Sequence, residues 1–371
     1  MNFWQEIKKF TRLEKGGPIL CLAPMADVTD AAFRYIISKV SAKKVFSSAG
    51  FADFSSKNTA SEKTFFADTH VTYTEFVSAD GLVLAPENGK KKLLKDLEYS
   101  EIERPIVAQL FGSKPETMEK AAALVAELGF DGIDINMGCP DKSIEKQGAG
   151  AALMKNPKLA RELIAAAKRG VKNTIPISVK TRLGYNKDEL ETWLPELLAE
   201  NPAAIIIHAR TRKEMSKVPA RWERIKRAVE IRDNFVATRS NSLRSQDASH
   251  ISLQELSLPL IIGNGDVADI EDAKMKCEES GADGAMVGRG IFGNPWFFSG
   301  KIPTTEEKLK VLVEHTKLFE EKFGGIKSFA IMKKHFKEYL RDPNVRDLRF
   351  KLMRAETAKE VEVMVKSFLV V

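Results

Sequence analysis

Asp131-Gly-Ile-Asp-Ile-Asn-Met-Gly-Cys139-Pro140 is the stretch from which the rest of the chain is read. Ile133 and Ile135 alternate with Asp134 and Asn136, the two-residue period of a short β-strand. The run stops at Met137-Gly138-Cys139-Pro140. Gly138 permits backbone angles closed to other residues, and Pro140 pushes Cys139 toward an extended conformation. A thiol is thereby presented on a turn at a strand end, just before the glycine-rich run Gln147-Gly-Ala-Gly150. A lone cysteine is more commonly a packing residue. The strand-end position and the glycine setting favour chemistry for Cys139.

Outward from this strand, seven more runs of the same kind occur, at residues 19–23, 71–77, 105–110, 175–180, 203–208, 258–262 and 283–287. Most are followed by a segment of helical period: after the caps Thr29 and Asp30, then at residues 116–128, 157–169, 188–200, 221–232 and 270–279. Residues 1–18 predict a short amphipathic helix and a turn, and 90–97 a basic helix or linker. Such alternation implies a parallel sheet with helices outside. An open doubly wound sheet carries G-x-G-x-x-G after its first strand, but here Ala23-Pro-Met-Ala26 stands in that place. The expected fold is α/β, a (β/α)8 TIM barrel over residues 1–300. After Trp296 the pattern turns wholly helical, giving a small all-helical C-terminal domain over 301–371. Residues 44–70 read as an excursion or hairpin, and the Ser-rich 233–257 as an exposed insertion or flexible loop.

Among the 371 residues, 43% are apolar and 29% charged, as in an ordinary globular protein. No apolar run is long enough for a transmembrane helix, and the first residues lack the order of a secretory leader. Cys21, Cys139 and Cys277 form no CxxC pair, which favours a reducing compartment, the cytoplasm. Five scattered histidines lack metal-ligand spacing, so no metal is expected. The net charge of +7 suits a polyanionic partner without requiring one. It is locally steeper over 327–354, where nine Lys/Arg stand against three Asp/Glu. There Lys333, Lys337 and Arg341 flank the apolar stripe Phe329, Met332, Phe336 and Leu340.

A barrel of this kind places its site at the carboxyl ends of the strands. Those ends carry Pro24 and Met25, Glu75, Gln109, Asn136 with Cys139, Lys180 with Arg182, His208 with Arg210, Asn264-Gly265-Asp266, and Gly288-Arg289. Taken singly, Lys180 reads as a solvated strand end and His208 as a core histidine; their shared rim argues for a site. Gly263-Asn-Gly-Asp266 and Gly288-Arg-Gly290 follow the seventh and eighth strands, where barrels commonly hold phosphate on backbone N–H groups. A phosphorylated cofactor and a phosphorylated sugar would satisfy these loops equally.

Leu22-Ala-Pro-Met-Ala-Asp-Val-Thr-Asp30, Arg104-Pro-Ile-Val-Ala-Gln-Leu-Phe-Gly112, Asp134-Ile-Asn-Met-Gly-Cys-Pro140, Val179-Lys-Thr-Arg182, His208-Ala-Arg-Thr211, Gly263-Asn-Gly-Asp266 and Gly288-Arg-Gly-Ile-Phe-Gly-Asn-Pro-Trp296 together resemble the tRNA-dihydrouridine synthases, the bacterial B type most nearly. The resemblance runs collinearly from about residue 19 to the C-terminus. It implies an FMN-dependent reductase that saturates the carbon 5–carbon 6 bond of uridine in tRNA, with NADPH reducing the flavin. It implies Cys139 as proton donor. Pro24, Met25 and Ala26 would line the flavin, Gln109 would meet its pyrimidine edge, and Lys180 and His208 would flank its ring. Asn264, Gly265, Asp266, Gly288 and Arg289 would hold its phosphate. Asn136, Arg182 and Arg210 would meet the target uridine, with Lys333, Lys337 and Arg341 on the tRNA backbone. A monomer that binds tRNA, and neither membrane nor metal, is the expected state. The chain departs from the family at Asp27, where glycine is usual, and at Met215-Ser-Lys-Val-Pro219. A dihydroorotate-dehydrogenase-like barrel acting on a free pyrimidine is the alternative enzyme, and the basic helical tail argues against it. An RNA-binding or chaperone-like protein with an idle redox site is the alternative from another class.

Overall fold

The computed structural model describes residues 2–14, 17–41, 45–47, 50–52, 70–244, 258–341 and 343–370. Its strands are β1 (Ile19–Leu22), β2 (Val45–Ser47), β3 (Gly50–Ala52), β4 (His70–Ser78), β5 (Ile106–Phe111), β6 (Gly132–Asn136), β7 (Ile177–Arg182), β8 (Ala204–His208), β9 (Leu260–Asn264) and β10 (Gly284–Val287). β2 and β3 pair antiparallel by themselves. The other eight form a closed parallel barrel, with β1 hydrogen-bonded to both β10 and β4. All eight expected strands are present, and the fold is the (β/α)8 barrel.

Because side chains alternate along a strand, each barrel strand feeds two layers. Ile133 and Ile135 of β6, Ile177 and Val179 of β7, and Ile205 and Ile207 of β8 pack outward against the helices. Inside, Ile19, Cys21, Val71, Val107, Ile206, Ile262 and Met286 form an apolar plug, closed at its base by Phe3, Trp4 and Ile7 of the helix Phe3–Glu14. Beyond that plug, toward the carboxyl ends, the interior positions turn polar: Gln109, Asp134, Asn136, Ser178 and Asn264 are all buried. The interior thus changes from apolar to polar along the barrel axis, toward the carboxyl ends of the strands.

Four helices close the chain, Thr305–Phe323, Met332–Tyr339, Arg346–Leu352 and Ala358–Leu369. Their buried residues share a core with Phe33 and Ile37 of the helix Ala31–Val40. The helix expected over 221–232 runs instead from Trp222 to Arg244. Residues 233–244 are therefore helical, not loop: partly buried Phe235 packs on the barrel's outer core, and tertiary packing overrides the weak helix propensity of the Asn-, Thr- and Ser-containing sequence. The rest of that expected insertion, 245–257, lies outside the described residues, as does 53–69 of the expected excursion. Residues 90–96 of the expected basic helix or linker belong to a helix, Glu87–Asp96, with Leu97 as its C-cap.

Candidate active site

The Cys139 turn is held from three sides. Asn136 Oδ1 accepts from the backbone N–H groups of Gly138 (3.1 Å) and Cys139 (2.9 Å), the local side-chain turn that Asn makes readily. Arg182 Nε donates to the Gly138 carbonyl at 2.7 Å. The Ala151 N–H donates to the Cys139 carbonyl at 2.9 Å. Gly150, at φ +60°, lies against the turn so closely that a Cβ there would come within 2.9 Å of the Cys139 carbonyl oxygen. Gly150 of the run after the thiol is thus explained by a close approach. Cys139 itself is half-buried, and burial raises its thiol above the ordinary value, so it stays protonated at neutral pH.

Behind this turn runs a chain of buried polar groups. Asn136 Nδ2 donates to Gln109 Oε1 (3.0 Å), and Gln109 Nε2 donates to Asp134 (2.7 Å). Ser178 Oγ donates to the other oxygen of Asp134 at 2.7 Å. Burial pushes the Asp134 carboxyl up to about 6, against the downward pull of the bonds from Gln109 and Ser178.

The opposite wall is cationic. Lys180 Nζ donates to Asn264 Oδ1 at 3.1 Å, and Asn264 Nδ2 donates to the Met286 carbonyl at 2.8 Å. Burial, then the nearby Arg182, pushes Lys180 down to about 8. Arg210 Nη1 sits 3.0 Å from His208 Nε2. A guanidinium only donates, so Nε2 is the acceptor and the imidazole is neutral. Burial and the surrounding cations hold it far below the usual histidine range. Asp266, at φ +51°, bridges Arg210 and Arg289, the latter at 2.7 Å. Its carboxylate also accepts the Ala220 N–H at 2.8 Å. The Asp266 carboxylate therefore orients the two arginines that would face an anion. Gly265, at φ +121°, leaves a Cβ only 2.9 Å from Ala220 and 3.1 Å from the His208 ring.

The third side is the loop after β1. Asp27 occupies a left-handed backbone position, φ +54°, which accounts for glycine being usual there. Its N–H donates to Glu75 Oε1 at 2.6 Å, and Glu75 Oε2 pairs with Lys327 at 2.7 Å. Asp27 Oδ2 pairs with Lys334 at 3.0 Å. The register between β4 and β5 slips between Tyr73 and Phe76, the irregularity on which Glu75 sits. Gly288 faces the same space: a Cβ there would meet Ala23 and Met25 Sδ, both at 3.7 Å.

The structure thus gathers Met25, Gln109, Asn136, Cys139, Lys180, Arg182, His208, Arg210, Asn264, Asp266 and Arg289 at one barrel end. Of the cations after residue 323, Lys327 and Lys334 touch that rim. Lys333, Lys337 and Arg341 lie outside the buried stripe Met332, His335, Phe336 and Tyr339, and Arg341 pairs with Glu338. Arg182 has a structural duty beyond any contact with a uridine, since its Nη1 also donates to the carbonyls of Thr211 (3.3 Å) and Met215 (3.2 Å). Asp134 and Ser178 escaped the sequence reading; a polar residue at every second position of a barrel strand was the one signal that pointed to them. Among the described residues no cluster of His, Cys, Asp and Glu is fit to hold a metal ion.

The family model for dihydrouridine synthases matches residues 21–237 and 243–369. A probable tRNA-dihydrouridine synthase of Staphylococcus aureus (strain COL) is 34% identical over 99% of this chain and 95% of its own length. A probable tRNA-dihydrouridine synthase 2 of Bacillus subtilis (strain 168) is 34% identical over 99% of this chain and 96% of its own length. Among solved structures, histamine dehydrogenase from Rhizobium sp. 4-9 superposes with a TM-score of 0.44 at 12% identity, covering 81% of this chain and 49% of that one, too loose a likeness to bear on function.

Proposed function

The chain belongs to the dihydrouridine synthase family, and from that premise we propose that it uses FMN, reduced by NADPH, to saturate the carbon 5–carbon 6 bond of a uridine in tRNA, with Cys139 as the proton donor. The barrel end suits a flavin mononucleotide. Lys180, Arg182, Arg210 and Arg289 converge there, and Asp266 partners two of them, so the mouth favours an anion. Asn264, Gly265, Asp266, Gly288 and Arg289 would hold the phosphate, with Asp266 acting through the arginines and its backbone. Pro24, Met25 and Ala26 would line the ring system, Gln109 would meet its pyrimidine edge, and Lys180 and His208 would flank it. Bound there and reduced, FMN would supply the hydride that carbon 6 of the uracil ring takes up.

The remaining work falls to the protein. Carbon 5 must take a proton, and the Cys139 S–H is the donor, kept as a thiol by burial. Lys180 and Arg182 stabilise the negative charge that the ring acquires before that proton arrives. Asn136 keeps a second N–H beyond the one given to Gln109 and offers it to the base, beside Arg182 and Arg210. The uridine must leave its stack to enter a barrel, at a cost of about a few kcal/mol, which favours a loop nucleotide. Lys333, Lys337 and Arg341, on the helical segment we assign to 301–371, would take tRNA phosphates and orient the molecule. Among the described residues no helix is long and apolar enough to cross a membrane, and we place the reaction in the cytoplasm, where tRNA is the available polyanion.

The pinned Cys139 turn facing a cationic wall is the observation that carries this reading. Mass-spectrometric mapping of dihydrouridine in tRNA from cells lacking the protein tests it: loss of the base at one or a few positions is expected. An unchanged map, together with a purified protein that takes up no FMN, would contradict it.

A further inference from the structure

We propose that Asp134, locked by Ser178, is a positioning residue that sets the direction of every hydrogen bond leading to the Cys139 turn. The proposal rests on the reading of Cys139 as the reacting thiol. It starts from an ambiguity. Gln109 and Asn136 are amides, and each can be turned end for end with little change of shape. Flipped, each would present a carbonyl to the barrel mouth where it now presents N–H.

Both ends of the chain remove that ambiguity. At one end the Asp134 carboxylate accepts, and its two oxygens are assigned: Ser178 Oγ donates to Oδ1 and Gln109 Nε2 to Oδ2, each at 2.7 Å. Gln109 must therefore turn Oε1 toward Asn136, which answers with Nδ2 at 3.0 Å. Asn136 must then turn Oδ1 toward the turn. At the other end, the N–H groups of Gly138 and Cys139 can only donate, and they meet that Oδ1 at 3.1 and 2.9 Å. Three side chains, Asn136, Gln109 and Asp134, thus run in one direction from backbone N–H to carboxylate, and Ser178 on the next strand closes the far end by donating into that carboxylate. The strand register brings them side by side, with Gln109 opposite Asp134 and Asp134 opposite Ser178.

A buried carboxylate with no ion-pair partner is a poor device for stability. Asp134 has none among the described residues, and its side chain is wholly enclosed. As an orienting device it presents an acceptor to Gln109 whichever way it turns, whereas a neutral amide does so only when a second partner such as Ser178 fixes which end faces Gln109. The consequence at the mouth is chemical. The second N–H of Gln109 and that of Asn136 are the groups left to meet a ring carbonyl, and the Cys139 backbone is fixed at its nitrogen.

The test compares Asp134→Leu, close in volume but without polar atoms, with Asp134→Asn. An asparagine there restores the direction if its carbonyl meets Gln109 and its NH2 meets Ser178 Oγ. Two readouts are used: alkylation of Cys139 by iodoacetamide in flavin-free protein, and single-turnover reduction of unmodified tRNA by prereduced holoenzyme. Cys21 and Cys277 are buried, so Cys139 dominates alkylation. The pH-independent rate constant reports access to the thiolate separately from its pKa.

In Asp134→Leu we expect alkylation to rise about fivefold or more and turnover to fall about tenfold or more, with the affinity for tRNA unchanged. Asp134→Asn should stay within about threefold of the native protein on both measures. Should the leucine variant fail to fold, Asp134→Asn/Ser178→Ala takes its place. With no hydroxyl to fix the new amide, it should depart from Asp134→Asn by about threefold or more in the same directions. A folded leucine variant, or this double variant in its stead, that stays at its reference on both readouts would overturn the proposal. So would an asparagine variant as impaired as the leucine one. If the native protein reduces no tRNA, the functional reading fails by itself and the alkylation readout still decides the relay.

Discussion

The barrel mouth and the seam between the barrel and the C-terminal helices bury polar groups in opposite ways. At the mouth the buried amides and carboxylates answer one another, from Ser178 through Asp134, Gln109 and Asn136 to the Cys139 turn. At the seam Phe33 of the barrel helix stacks on His315 (5.0 Å) and meets His335 edge-on (4.6 Å), and the two histidines meet edge-on at 4.6 Å. Neither imidazole nitrogen of His315 or His335, nor the Tyr339 hydroxyl, has a hydrogen-bond partner among the described residues. The mouth uses polarity to fix orientation, whereas the seam uses rings as packing material. A directed network resists reorientation, and a partnerless ring resists nothing once it is charged.

The largest expected effect separates the two by acid. Burial holds His335 down to about 3 and His315 well below the histidine range, so both are neutral in the fold. An unfolded histidine takes a proton below about 6.5. The unfolded chain therefore gains protons first, and the stability that neutral His335 provides above pH 6.5 is lost as pH falls toward 3. By pH 4 that loss is about 3 kcal/mol from His335 alone. Asp30 acts in the opposite sense, since burial and Glu75 raise it to about 7 and its protonation favours the fold as pH drops. The difference between native protein and His335→Phe isolates the histidine: denaturant midpoints should diverge in favour of the phenylalanine variant between pH 7 and 4. Parallel curves would break the contrast.

Next is Arg210→Met at the mouth. Buried Arg210 bonds His208 and Asp266, and its loss removes a charge-assisted contact from the proposed phosphate wall. FMN affinity, followed by flavin fluorescence, should fall about thirtyfold, with the acid sensitivity of the seam unaltered. Gly150→Ala comes third. A side chain at φ +60° against the Cys139 carbonyl should cost about 1.5 kcal/mol in urea unfolding and disturb the thiol turn more than the seam. The smallest is Lys334→Ala. Its exposed pair with Asp27 should contribute about 0.5 kcal/mol or less, and that only at low salt.

These effects differ in how far the sequence foretold them. The eight strands and the rim were legible because period-two alternation and the glycine turns are local signals. Cys139, Lys180 and His208 could be grouped because strand ends in a closed barrel share one rim. What escaped depends on partners distant in the chain. Lys327 meets Glu75 across 252 residues and Lys334 meets Asp27 across 307, separations no periodicity encodes. Asp134 read as one more polar position on its strand, because its meaning depends on register against Gln109 and Ser178. Asp266 read as a phosphate ligand, and only its pairing with two arginines shows the carboxylate to be their brace. Residues 233–244 read as loop because composition does not show that Phe235 finds a partly buried place on the barrel.

The central claim is that a thiol fixed by this network delivers the proton. Its most direct test is Cys139→Ala in protein loaded with FMN, supplied with NADPH and unmodified tRNA, with dihydrouridine counted by mass spectrometry. Product formation should fall by about 10²–10⁴-fold, the range for loss of a general acid, while flavin absorbance and tRNA affinity stay at their native values. Product within a few-fold of the native yield would show that the proton comes from elsewhere.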